Sequence, residues 1–186
     1  MDGNPLMPAP LPALAVLLCT FVIASDLYSR RVPNVCLLAA LLLGTCWMGM
    51  SWVRGDAGPP WPALFGLLLG LAVFLPMYAF GWMGAGDVKL FATLGFLLGA
   101  KALLPIWIIG SLLAGMHAMA ILMSRYWLRQ ATTAGDGTPT WWTTSPLGRR
   151  IASARQGRQG LPYAAYLAIG ALMTAFVPAL LYWPKP

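Results

Sequence analysis

The sequence predicts an all-α integral membrane protein, a bundle of about six transmembrane helices, and three observations carry that expectation. Of its 186 residues, 59% are hydrophobic and only 9% charged, against roughly 25% charged in an ordinary soluble domain. The apolar residues gather into runs of the length a helix needs to cross hydrocarbon, about 20 residues with a range near 17–25. Polar turns separate the runs. A water-soluble fold of this size could not hide so much apolar surface, whereas lipid solvates the outer faces of membrane helices.

The spans are expected near residues 11–28, 35–53, 61–80, 88–100, 103–126 and 161–183, together forming one polytopic membrane domain over residues 1–186. No Lys or Arg precedes the first run, so the positive region of a cleavable signal is missing and the run should stay as a membrane helix. The basic turn Ser29-Arg30-Arg31-Val32-Pro33-Asn34 ends it. Arg54-Gly55-Asp56-Ala57-Gly58-Pro59-Pro60 closes the second span, and a Gly-rich turn leads from the third into the fourth. The fourth is short for a full crossing. A polar, Thr- and Gly-rich loop carrying several arginines separates the fifth and sixth. No internal repeat is visible.

Charge sets the orientation. The net charge is +7, with twelve Lys and Arg against five Asp and no Glu. In a six-span arrangement Arg30, Arg31, Lys89, Arg125, Arg129, Arg149, Arg150, Arg155 and Arg158 fall on one side, and only Arg54, Lys101 and Lys185 on the other. Lys and Arg favour the cytoplasm. Both termini are therefore expected outside and the arginine-rich loop inside, with the loop fixing topology rather than binding nucleic acid. Trp52, Trp61 and Trp183 mark the outer interface, and Tyr28, Trp82, Trp127 and Tyr163 the inner one, as aromatic belts do.

Two acids stand out. Asp2, Asp56 and Asp136 read as solvated tail, turn and loop charges. Asp26 and Asp87 instead sit at the ends of apolar spans, on the same membrane face, where an ionisable group is costly and asks for a function. A structural role is the alternative for each: Asp26 could pair with Arg30 one turn on, and Asp87 could cap the fourth helix. Two carboxylates held close do not easily both ionise, so one carries a proton while the other is charged. Such a pair can activate water and protonate a leaving amine without a metal or cofactor. Gly84 and Gly86 would let a peptide backbone approach Asp87.

These segments resemble a known family. Gly84-Ala85-Gly86-Asp87-Val88-Lys89-Leu90 looks like the G-x-G-D-V-K-L signature of the type IV prepilin peptidases, intramembrane aspartyl proteases of the GxGD kind. Asp26 followed by Arg30-Arg31-Val32-Pro33-Asn34 is similar to that family's first catalytic segment, and Leu161-Pro162-Tyr163 to the opening of its last helix. The resemblance implies packed membrane helices in the bacterial cytoplasmic (inner) membrane, with Asp26 and Asp87 catalytic at the cytoplasmic border. Gly84, Gly86, Lys89, Pro33, Asn34, Pro162 and Tyr163 would support the site or the substrate. It also implies a prepilin as partner, cut after a short basic leader and before its hydrophobic N-terminal helix. Large members carry a cytoplasmic segment with paired C-x-x-C motifs and also methylate the new amino terminus. This sequence shows no such motif, so it resembles the short, peptidase-only branch serving Flp or Tad-type pili, and methylation is not expected. A second departure is Tyr163-Ala164-Ala165-Tyr166, where many relatives have glycine and proline after the aromatic.

The remaining reactive residues point nowhere else. Cys19, Cys36 and Cys46 lie in apolar runs with no C-x-x-C spacing, so they read as small buried hydrophobes. His117 is the sole histidine, within the fifth span, and reads as a helix–helix hydrogen-bonding group. No metal or cofactor site is expected. Lys89 opposes the helix dipole in the first turn of its helix. It would either stabilise the ionised aspartate or touch substrate backbone, the alternative being that it reaches for lipid headgroups. Membrane lipid is in any case a partner. A competing class is a proton- or cation-coupled transport protein using the same aspartates. A third is a structural membrane subunit. Transporters usually show repeated halves and sites at the midplane, which this sequence does not.

Overall fold

The computed structural model describes residues 10–131 and 162–177. Among them the regular structure is entirely helical: α1 (Leu11–Ser29), α2 (Asn34–Val53), α3 (Trp61–Ala79), α4 (Ala85–Leu98), α5 (Ala100–Ala131) and α6 (Tyr163–Phe176). Proline punctuates the starts. It occupies the first turn of α1 and α3, where its missing N–H costs nothing, and Pro33 and Pro162 stand immediately before α2 and α6.

Four helices are long and apolar enough to cross a membrane: α1, α2, α3 and the Ala100–Ser124 part of α5. Their outward residues are large and apolar. Leu42, Leu68, Leu112 and Leu122 are each more than 60% exposed, an arrangement that water would not tolerate over so wide a surface but lipid does. The chain is an all-α membrane protein.

α4 is the centre of the bundle, and α1, α2, α3, α5 and α6 all pack against it. Every residue from Leu90 to Leu97 is buried, which is what a helix apolar on all sides requires. At 14 residues it is only about 21 Å long, short of the roughly 30 Å hydrocarbon layer, and its neighbours surround it. α3 lies antiparallel and very close: a Cβ on Gly66 would run into the Gly95 carbonyl, and a Cβ on Gly70 would lie 3.0 Å from Ala92 Cα. Phe74 and Phe91 stack beyond them with centroids 4.0 Å apart. α5 and α6 pack in the same way, since a Cβ on Gly170 would come within 2.7 Å of the Ile106 carbonyl oxygen.

Three spans differ from expectation. The fourth helix begins at Ala85 rather than residue 88, because Gly84 takes the extended N-cap position and Ala85, Gly86 and Asp87 join the first turn. The fifth begins at Ala100 rather than 103: Gly99 alone, at φ 84°, separates α4 from α5, a backbone shape that side chains resist. It then continues to Ala131, about 48 Å in all and longer than the membrane needs. The sixth is helical over Tyr163–Phe176, with residues 162 and 177 just outside the helix; residue 161, residues 178–183 and the arginine-rich loop beyond residue 131 lie outside the described residues.

Candidate active site

One end of the bundle gathers the last turn of α1 and the first turns of α2, α4 and α6. Asp26 belongs to the last turn of α1 and is 5% exposed. Its Oδ2 accepts a hydrogen bond from the Ala165 N–H at 2.9 Å. Ala165 is the third residue of α6, and the first N–H groups of a helix have no partner within it. Asp26 therefore caps α6 from a different helix. Ala164 and Ala165 are both 1% exposed; their small side chains let the two backbones meet. The Arg30 charge lies near Asp26. Arg30 itself ends α1 in a left-handed conformation, φ 52°, with its N–H donating to the Asp26 carbonyl oxygen at 3.0 Å.

Asp87 is the third residue of α4 and half-buried. It is not the N-cap; Gly84 is. The Asp87 carboxylate folds back toward Gly84, where a Cβ would stand 3.3 Å from Oδ2 with no other atom within 4 Å. Gly84 thus leaves open space beside the acid. Gly86 does not: a Cβ there would lie 3.2 Å from Val32 Cβ, so this glycine seats the α1–α2 turn on α4. Asp26 and Asp87 are close enough for their charges to interact.

The α1–α2 turn is tied down on both flanks. Ser25 Oγ donates to the Arg31 carbonyl oxygen at 2.8 Å. Asn34, next to Pro33, accepts from Lys89 Nζ at 3.2 Å. Lys89 follows Asp87 by two positions, which is about 200° round a helix, so it leaves α4 on the side away from the dyad. Tyr163, behind Pro162 at the start of α6, shares a hydrogen bond with Ser111 of α5 at 3.1 Å, and its hydroxyl lies within reach of the Asp87 charge.

Residues 13–119 match the model of the type IV leader peptidase family. The chain belongs to that family. The matched stretch takes in α1 to α4 and much of α5, and contains both Asp26 and Asp87. Membership makes this leader peptidase relative a peptidase, a different class from the transport protein and the structural subunit. No curated protein matches the chain at a significant level, and no solved structure does.

Asp26, Asp87, Gly84, Gly86, Pro33, Asn34, Pro162 and Tyr163 are thus drawn to the same end of the bundle from four helices and their turns. Lys89 shares that end but faces the other way. His117 is exposed on α5, its ring 5.9 Å from that of Tyr166. Among the described residues no three of His, Cys, Asp and Glu come together. Three groups were not foreseen: the Ala165 N–H, Ser111, and Tyr166. The Tyr166 hydroxyl is buried with no hydrogen-bond partner among the described residues and lies within range of the Asp26 and Arg30 charges. The paired alanines after Tyr163 were the one available signal, since small residues mark close helix contact.

Proposed function

We propose that the chain is a membrane-embedded aspartyl endopeptidase that removes the short basic leader from an Flp-type prepilin at the cytoplasmic face of the bacterial inner membrane. The observation that supports this most is the convergence of Asp26 and Asp87, from separate helices, at one end of the bundle and within range of each other's charge. One carboxylate takes a proton from a water molecule as the water oxygen attacks the scissile carbonyl. The other gives a proton to the departing amide nitrogen, and the peptide bond breaks. No metal or covalent intermediate is needed.

The open space beside Gly84 admits the substrate backbone next to Asp87. Gly86, Pro33 and Asn34 hold the turn that follows Asp26, and Pro162 and Tyr163 set the first turn of α6 against it. The substrate's hydrophobic helix stays in the bilayer while its leader reaches the cytoplasm, so the cut falls where the aspartates stand. Cation bias supports the orientation, with both termini outside.

Co-expression with a prepilin tests the reading. Asp26→Asn and Asp87→Asn each abolish cleavage while the protein still inserts in the membrane, and a metal chelator has no effect. Cleavage retained by either variant at normal levels of both proteins removes the dyad.

A further inference from the structure

α2 and α3 do not pack on each other; each leans on α4. A cleft of about 520 Å³ is left between them, walled by Leu38 and Leu41 of α2 and by Leu67 and Leu71 of α3, with Asn34 and Lys89 at one end. Its floor is α4 at Ala92 and Thr93. No acidic residue lines it. The floor residues and Lys89 lie on the face of α4 opposite Asp87, since steps of two, five and six residues turn about 200°, 140° and 240°.

We propose that this cleft holds the headgroup-proximal part of the acyl chains of one anionic phospholipid, its phosphate set against Lys89. Length disfavours a helix, since the wall from Asn34 to Leu41 offers about 10 Å, fewer than two helical turns. An apolar cavity of about 150 Å³ holds a benzene ring, and at that density 520 Å³ takes about 20 carbons, roughly the ten headgroup-proximal carbons of each of a phospholipid's two chains. From Asn34 to Leu41 the cleft runs roughly 10 Å along α2, within the depth of one leaflet of a bilayer whose core is about 30 Å.

Charge decides the headgroup. The Lys89 ammonium has three donors, one of them used on Asn34. The first turn of α2, with its positive dipole end, stands beside it. A phosphate placed there meets two sources of positive potential at headgroup level. The site is separate from the dyad, and the inference stands without the peptidase reading. It assigns Lys89 to lipid rather than to the aspartates.

The full-length chain, purified in mild detergent from bilayers of equal palmitoyl-oleoyl phosphatidylglycerol and phosphatidylcholine, is examined by native mass spectrometry. One phosphatidylglycerol is retained per chain in preference to phosphatidylcholine. Lys89→Gln lowers that preference about fivefold, the worth of one cation near an anionic surface, while Lys101→Gln, at the other end of the bundle, leaves it unchanged. Leu71→Trp, which fills the cleft, removes the retained lipid of both kinds. A photoreactive residue at position 38 couples to lipid. Unchanged phosphatidylglycerol preference in Lys89→Gln overturns the proposal. So does coupling at position 38 to co-expressed prepilin, to a second copy or to another part of the chain.

Discussion

Asp26 has two tasks that one substitution can separate. Its carboxylate accepts the Ala165 N–H, and in the proposed reaction it also carries charge. Asparagine keeps an acceptor oxygen of the same reach but cannot ionise. Asp26→Asn should therefore melt near the parent while losing cleavage. Asp26→Ala leaves a buried N–H unpaired at about 1–3 kcal/mol and should melt lower as well as being inactive. Thermal unfolding in detergent, run beside the cleavage assay, checks both. If the Asn variant melts as low as the Ala variant, the interaction with α6 depends on charge and the two tasks are one. The aspartates were legible because acids are so scarce in this sequence that their positions carry information. The Ala165 contact was not, since a backbone N–H has no signature and its partner lies 139 residues away.

The helices themselves were mostly legible. Prolines, glycines and charged turns interrupt the apolar runs, and helix ends cannot drift far past such residues. The start of α5 escaped because Lys101 reads as a turn residue, whereas a single glycine of positive φ replaced the expected turn and Lys101 joined the helix. Nothing in the sequence says which glycines of the apolar runs meet a neighbouring helix. Gly66 does, against the Gly95 backbone, whereas Gly49 on α2 has nothing within 4 Å. Gly66→Ala should destabilise by at least about 1–3 kcal/mol, because rigid backbone rather than a flexible side chain must move. Gly49→Ala should stabilise by about 0.5–1 kcal/mol, as helix glycines replaced without a clash do. Melting temperatures moving in opposite directions would bear this out. Equal shifts would mean that α3 and α4 can separate at little cost.

For the molecule as a whole, the bundle gives relative directions of helices, while the absolute orientation rests on the cation bias proposed above. Contacts of Gly66 with Gly95 and Gly70 with Ala92, and of Gly110 with Leu167 and Gly170 with Ile106, run in reverse order and make α3 antiparallel to α4 and α5 antiparallel to α6. The hydrogen bond from Ala165 to Asp26, and the reach of the Asp26 charge to Asp87, put both acids at one end whichever way the bundle is inserted. The count expected of a six-span arrangement, nine cations on the side of the aspartates against three on the other, favours that end facing the cytoplasm, which is where the proposed reaction takes place. In a background with Cys19, Cys36 and Cys46 replaced, Asp56→Cys should react with an impermeant maleimide in intact cells. Asp136→Cys should react only after the membrane is opened. The reversed pattern would put the dyad outside and remove the cytoplasmic reaction, even though every contact within the bundle would be unchanged.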